Sequence, residues 1–290
     1  MTLSHKNEIM VVSGTSTGMG AATARELAAR GYHVLAGVRR TPDADAIRAD
    51  GIEPVILDIT RPEHVEALVD RVASDPGRRP LRALVNNAGI SVNAPVETLP
   101  LDEWRRLFDV NLFGHVAVTQ ALLPFLHRSG GRVVNISSVG GHVAMAAYGP
   151  YAATKFALEA VSDSLRRELA PHGVQVVVVE PGAVKTDMAD RGAASTTGAA
   201  ETMNPEQQQR YGALVRAVLA HTAAHIGTGL SADEAGAVIA GAATVRRPRT
   251  RYTVGRDAAL LTRLTRVLPD RVLDRVLAAS LRRYFPAGSA

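Results

Sequence analysis

Residues 173–180, GVQVVVVE, are the most restrictive stretch of this 290-residue chain. Four consecutive valines without polar alternation suit a strand covered on both faces, and strands of that kind belong to parallel sheets flanked by crossover helices. Six more short apolar runs share the character: 8–13 (EIMVVS), 31–38 (GYHVLAGV), 53–59 (EPVILDI), 82–86 (RALVN), 133–136 (VVNI) and 251–254 (RYTV). Between them apolar residues recur at helical spacing, as Trp104, Leu107, Phe108, Leu112 and Val116 do. Seven strand-like runs alternating with helical patterns predict an α/β fold, a doubly wound parallel seven-stranded sheet with helices on both faces. At 46% hydrophobic and 21% charged residues the chain suits a single domain over 1–290 with a substantial core.

The first run leads at once into GTSTGMG, residues 14–20, and then into an Ala-rich helical segment. Strand, glycine turn and helix together make a pyrophosphate cradle. Glycines let the backbone approach phosphate, and the helix N-terminus supplies free N–H groups and positive dipole. Gly14, Thr15, Ser16, Thr17, Gly18, Met19 and Gly20 are therefore expected to touch a dinucleotide. A second constellation follows the strand 133–136. Ser138 lies at that strand's carboxyl end, Tyr151 comes thirteen residues later, and Lys155 follows Tyr151 by one helical turn. A free Tyr has a pKa near 10. A neighbouring ammonium favours the phenolate, so Lys155 is expected to lower the Tyr151 pKa and make the phenol a usable acid or base.

The string YGPYAATKFALE, residues 148–159, with Ser138 before it and NNAG at 86–89, resembles the short-chain dehydrogenases/reductases. It is especially similar to their hydroxysteroid and retinol dehydrogenase branch. The glycine spacing G-x-x-x-G-x-G is that family's version too. The resemblance covers residues 8–255 and implies a Rossmann-type strand order, with a nicotinamide dinucleotide across the carboxyl ends of the strands. It implies an oxidoreductase that interconverts an alcohol and a ketone or aldehyde. Four catalytic positions are carried over: Asn111 to bind a water linked to the lysine, Ser138 to hold the substrate oxygen, Tyr151 to transfer the proton, and Lys155 to hold the ribose. Cofactor contacts are implied at Asp58 and Ile59, at Asn87, Ala88 and Gly89, at Tyr151 and Lys155, and at Pro181, Gly182, Val184 and Thr186. Asp58 could instead cap the helix that follows it. Asn86 is expected to be structural. The alternative on the same fold is an NADP-sensing regulator with little turnover.

NAD-binding relatives carry an acid near the end of the second strand. Here Gly37 stands in that place and Arg39-Arg40 follow. A guanidinium fork suits a 2′-phosphate, so NADP(H) is preferred over NAD(H), with Arg39 as its contact. Arg40 can simply solvate the loop.

His142 and Met145, in the loop before Tyr151, could line the substrate pocket, while His115 has no assigned role. Residues 187–225 are read as the substrate lid; 187–203 lack an apolar period and read as a mobile loop, and a helix starts near Asn204. Residues 256–290 form an amphipathic helical tail, with Arg263, Arg266, Arg271, Arg275, Arg282 and Arg283 among its leucines and valines. Docking onto the domain, a partner subunit or the pocket mouth is favoured over a membrane surface. No cysteine is present, which excludes disulfides and thiolate ligands, and no metal is needed for the implied chemistry. The expected partners are a small alcohol or carbonyl substrate, with bulky apolar molecules favoured, and a second copy or copies in a homodimer or homotetramer. No nucleic acid, no transmembrane span and no signal-peptide layout is expected, and the location is expected to be cytoplasmic.

Overall fold

In the computed structural model, which describes residues 7–285, the seven expected strands are present. They are β1 (Ile9–Val12), β2 (His33–Val38), β3 (Ile52–Ile56), β4 (Leu81–Asn86), β5 (Arg132–Ile136), β6 (Gln175–Pro181) and β7 (Arg251–Val254). All pairings are parallel, in the order β3-β2-β1-β4-β5-β6-β7. The helices are α1 (Gly18–Ala29), α2 (Thr41–Ile47), α3 (Pro62–Ala73), α4 (Leu101–Phe108), α5 (Gly114–Ser129), α6 (Gly149–Leu169), α7 (Asp187–Glu201), α8 (Pro205–Gly227), α9 (Ala232–Thr244), α10 (Arg256–Val267) and α11 (Asp270–Arg282). The order reverses between β1 and β4, so the loops leaving these two strands diverge there and open a crevice.

Alternation along each strand builds two cores. Met10 and Val12 of β1, Val134 and Ile136 of β5, and Val177 and Val179 of β6 face α1 and α9, through Leu27 and Ile239. Ile9, Val11, Val133 and Val176 face α3, α5 and α6, through Leu68, Leu122 and Leu169. Both faces are apolar, which is why β6 could be a run of valines. Arg132, fully buried at the start of β5, donates to the Ala242 and Val245 carbonyls at the end of α9 and to Gln175. A cation thus closes that helix C-terminus.

Two lengths differ from expectation. The helical spacing that runs from Trp104 to Val116 is not one regular helix: α4 and α5 are joined by a π-helical turn, Asp109–Phe113, which carries Asn111. Residues 187–203, read as a loop, are mostly α7. Alanine, the best helix former, dominates that stretch. Its buried face is made of small residues at i, i+4, Gly192 and Thr196, with Thr196 Oγ1 accepting from the Asn93 N–H at 3.0 Å. A periodicity written in Gly and Thr does not register as hydrophobic.

His115, in the first turn of α5, is 1% exposed. Burial, and then the nearby Lys155 charge, push its pKa down to about 3. The folded state therefore refuses a proton that the unfolded chain accepts from pH 6.5 downward, so stability falls as pH drops from 6.5 toward 3. We expect His115→Leu to lose less of its urea midpoint between pH 7 and pH 4.5 than the unchanged chain does. An identical loss in both would show that His115 does not contribute.

Candidate active site

The turn from β1 into α1 is held open by its own hydrogen bonds. Asn87 Nδ2 donates to the Ser13 and Gly14 carbonyls, each at 3.0 Å, and Ser13 Oγ accepts from the Asn87 and Ala88 N–H groups. Gly14 has φ +69°, and a Cβ there would lie 2.7 Å from Ala88 Cα. At Gly20 a Cβ would fall 2.2 Å from the Gly14 carbonyl oxygen and 2.4 Å from Asn87 Nδ2. Only a chain without side chains at these points can bring the turn and the β4 exit together. The result is a shallow cradle facing the N-terminus of α1, a fit for a pyrophosphate.

That cradle opens into a cavity of about 750 Å³ across the carboxyl ends of the strands. Gly14, Ser16, Thr17, Gly18, Met19, Gly20, Arg39, Asp58, Ile59, Asn87, Ala88, Gly89, Tyr151, Lys155, Pro181, Gly182, Val184 and Thr186 all line it. Thr15 stands apart among the expected contacts. It is fully buried, and its side chain donates to the Gly37 carbonyl at 3.0 Å, pinning the turn to β2 rather than facing the cavity. Arg40 is committed to Asp43 through two nitrogens, whereas Arg39 lines the cavity. Asp58 does not cap α3. Its Oδ1 accepts from the Thr60 N–H and hydroxyl, and the cap position is Arg61. Asn86 is internal, donating to Thr119 Oγ1 and Asn135 Oδ1.

Ser138, Tyr151 and Lys155 meet at the other end of the same cavity. Ser138 leaves β5 and caps the short 3-10 turn Val139–Gly141, with Oγ accepting from the Gly140 N–H at 3.1 Å. Tyr151 stands in the first turn of α6, directly after Pro150. Lys155, one turn on, donates to the Ile136 carbonyl at 2.9 Å and lies 5.7 Å from the Tyr151 ring centre. The electrostatics differ from expectation. Burial pushes Tyr151 up to about 12, with Ser138 opposing weakly, and Lys155 does not bring it down. Lys155 is itself pushed down to about 8 by burial, with Glu159 opposing. The ammonium is engaged by a carbonyl and does not touch the phenol oxygen, so desolvation dominates both groups.

Asn111 is fully buried. Its Oδ1 accepts from the Ile90 N–H, and its two amide N–H bonds go to the Ile90 carbonyl and Thr154 Oγ1. The side chain clamps the segment after β4 to α6, and neither amide N–H is left for a water.

Met145 lines the cavity, but His142 does not. His142 Nε2 bonds Glu180 Oε1 at 3.0 Å and lies 3.8 Å from Glu159. One histidine and two carboxylates so close could hold a metal. The Arg251 guanidinium already sits among them, 3.0 Å from Glu159, 3.2 Å from Glu180 and 2.8 Å from Asp163. Arg251, with Arg166 also on Asp163, offsets these carboxylates in an ion network tying β7 to α6.

Several lining residues had no individual role assigned from the sequence: Ser91, Asn93, Tyr148, Met188, His221, Thr222 and His225, the last four within the expected lid. Tyr148 hydrogen-bonds Thr222 across to α8, and burial pushes His221 down to about 4. The tail docks at the cavity mouth, where Leu260, Leu261, Leu264, Val276 and Leu277 form an apolar wall with Val218, Leu219 and Ile226 of α8.

Residues 8–196 match the family model for short chain dehydrogenases. The chain belongs to that family. Retinol dehydrogenase 5 of Mus musculus is 37% identical over 97% of this chain and 91% of its own. A reductase described as NADPH-dependent 3-dehydrocapnine reductase, of Ornithobacterium rhinotracheale, is 31% identical over 94% of this chain and 97% of its own. Among solved structures, a short-chain dehydrogenase of Streptomyces avermitilis superposes with a TM-score of 0.73 at 29% identity, covering 95% of this chain and 96% of that one. One from Burkholderia cenocepacia, in complex with NADP, gives 0.71 at 25% identity, covering 95% and 98%. The short-chain dehydrogenase described here is thus an oxidoreductase acting on CH–OH groups with a nicotinamide dinucleotide, on a Rossmann-type fold.

Proposed function

We propose that this enzyme interconverts a bulky apolar alcohol and its ketone or aldehyde, with NADP(H) preferred over NAD(H). One observation carries the reading. The glycine cradle, the Ser138–Tyr151–Lys155 group and the apolar wall of α8, α10 and α11 are parts of a single cavity. A dinucleotide in the cradle would reach the reacting group, and an apolar substrate would fill the rest. The names of relatives agree, since retinol is an apolar alcohol. The 2′-phosphate would be met by Arg39, with Asp58 and Ile59 at the adenine end and Asn87–Gly89 beside the ribose. Pro181, Gly182, Val184 and Thr186 would hold the nicotinamide end.

When bound, the nicotinamide supplies the hydride to the carbonyl carbon or takes it from the alcohol. The chain moves the proton. With a pKa near 12, Tyr151 is a neutral phenol at physiological pH, the form that donates to a carbonyl oxygen during reduction. Ser138 holds that oxygen as charge grows on it. Lys155, still charged below about pH 8, would hold the nicotinamide ribose beside Tyr151. Asn111 positions α6 through Thr154. The same reading includes a homo-oligomer in the cytoplasm and no nucleic acid partner.

Two tests follow. NADPH and NADH oxidation across aldehydes and ketones of increasing apolar size should show faster turnover with NADPH and rising kcat/KM with size. Faster turnover with NADH, or a preference for the smallest carbonyls, would contradict the proposal. The pH profile of reduction should stay level through neutrality and fall as pH rises through about 8, where Lys155 loses its charge. A rate that climbs across that range would remove Lys155 from its role.

A further inference from the structure

The outward faces of α10 and α11 combine two features rarely found together on a solvated helix. Among the described residues, ten large hydrophobic side chains are exposed, and four of them fall in this short tail: Leu260 at 60%, Val267 at 79%, Val272 at 40% and Val276 at 42%. Leu260 and Val267 are two turns apart on one face of α10, and Val272 and Val276 one turn apart on α11. The same segment carries most of the chain's charge. Residues 256–285 hold seven arginines against three aspartates, +4 of the chain's +5.

Several arginines on other helices pair locally: Arg105 with Asp102, Arg106 with Glu103, Arg166 with Asp163. Among the described residues Arg263, Arg266, Arg271 and Arg275 pair with no carboxylate, although Asp274 lies three residues from Arg271. Leu260 and Val276 have a second property. Both are exposed outward and both line the cavity, so the mouth opens on this face.

We propose that this face docks on the surface of an anionic lipid bilayer, holding the cavity mouth against the membrane. A bilayer meets both features at once, anionic headgroups for the guanidinium groups and acyl chains for the valines and leucines between them. Other occupants meet only one. A second copy packed symmetrically would set arginine against arginine. A nucleic acid has no use for the exposed valines. Helices of 12 and 13 residues are too short to cross, so they would lie in the interface. Direct entry of an apolar substrate from the bilayer rests on the reading of the previous section, whereas the docking itself does not.

The test is sedimentation of the full chain with vesicles of phosphatidylcholine alone, and of phosphatidylcholine and phosphatidylglycerol in equal parts. The chain should bind the mixed vesicles, release on raising salt, and ignore the neutral ones. Each unit of charge should be worth about fivefold in partitioning, so the four units changed by Arg263→Glu with Arg266→Glu should cost on the order of several hundredfold. Val267→Ser with Val272→Ser should weaken binding severalfold without altering its salt dependence, which separates insertion from charge alone. All these positions lie outside the cavity lining, so turnover of a water-soluble carbonyl should be unchanged in every variant. No binding to mixed vesicles at low salt, equal binding to both lipids, or charge-reversed variants that bind as before would overturn the proposal. So would variants that lose self-association or DNA binding with no lipid binding to lose. An unchanged chain that binds vesicles yet reduces no carbonyl would leave the docking surface standing and remove only the reaction.

Discussion

Tyr151→Phe should lower the rate of carbonyl reduction by about a thousandfold while leaving NADPH affinity within a factor of about two. The substitution removes one hydroxyl from a buried ring and keeps its shape, so α6 and the loop from Ser138 should hold their places. What disappears is the proton donor. Ser138 can still hold the substrate oxygen, but its hydroxyl, with no adjacent base, is a poor substitute for a phenol. Cofactor affinity should persist because the phosphate cradle is made by residues 14–20 and by Asn87, hydrogen-bonded to Ser13 and Gly14, none of which touches the phenol. The measurement is kcat from the loss of NADPH absorbance, set beside the dissociation constant from NADPH fluorescence. A variant retaining a tenth of the activity would show that the proton comes from elsewhere.

Arg39→Glu should weaken NADPH binding by about a hundredfold and change NADH binding by less than threefold. A charge-assisted bond to phosphate contributes about 1.5–3 kcal/mol, and a carboxylate in its place adds repulsion toward the same group. Arg39 is the arginine free to do this, since Arg40 is held by Asp43. Gly37 reinforces the preference. A Cβ there would lie 2.8 Å from Leu57 Cδ2 and 3.2 Å from the Val12 carbonyl oxygen, so an acidic anchor for NAD ribose would have to displace Leu57. Equal losses for both cofactors would mean that Arg39 supports the loop and does not read the phosphate.

The parts that could be read from the sequence are those written in backbone geometry or in long apolar runs. Four valines in β6 need two covered faces. Glycines at 14, 18 and 20 need a close approach of chain segments, and Tyr151 and Lys155 share a face because helices repeat. What escaped depends on distance and desolvation. Lys155 is one turn from Tyr151, yet the Ile136 carbonyl draws its ammonium away from the phenol oxygen, and burial sets both pKa values. The expected sign of the Tyr151 shift was therefore reversed. His142 is close to the reacting loop in sequence, but Glu180 and Glu159, far along the chain, turn it away from the cavity. Nothing local could reveal that α7 packs through Gly192 and Thr196, because small residues carry no hydrophobic signal. The tail's apolar stripes were visible, and docking at the pocket mouth was among the expected outcomes. Which of its residues face inward and which remain outside needed the fold.

The central claim is that one cavity joins the dinucleotide cradle to a protonated Tyr151 beneath an apolar chamber. A single-turnover reaction tests it most directly. Enzyme in excess is mixed with NADPH deuterated at the transferring position of its nicotinamide and with an apolar aldehyde such as retinal, and the product alcohol is analysed. The account predicts one deuterium at the alcohol carbon from the unchanged enzyme and none above background from Tyr151→Phe at the same time point. Bound NADPH that remains reduced in the unchanged enzyme, or deuterium transfer at equal rates in both, would contradict it.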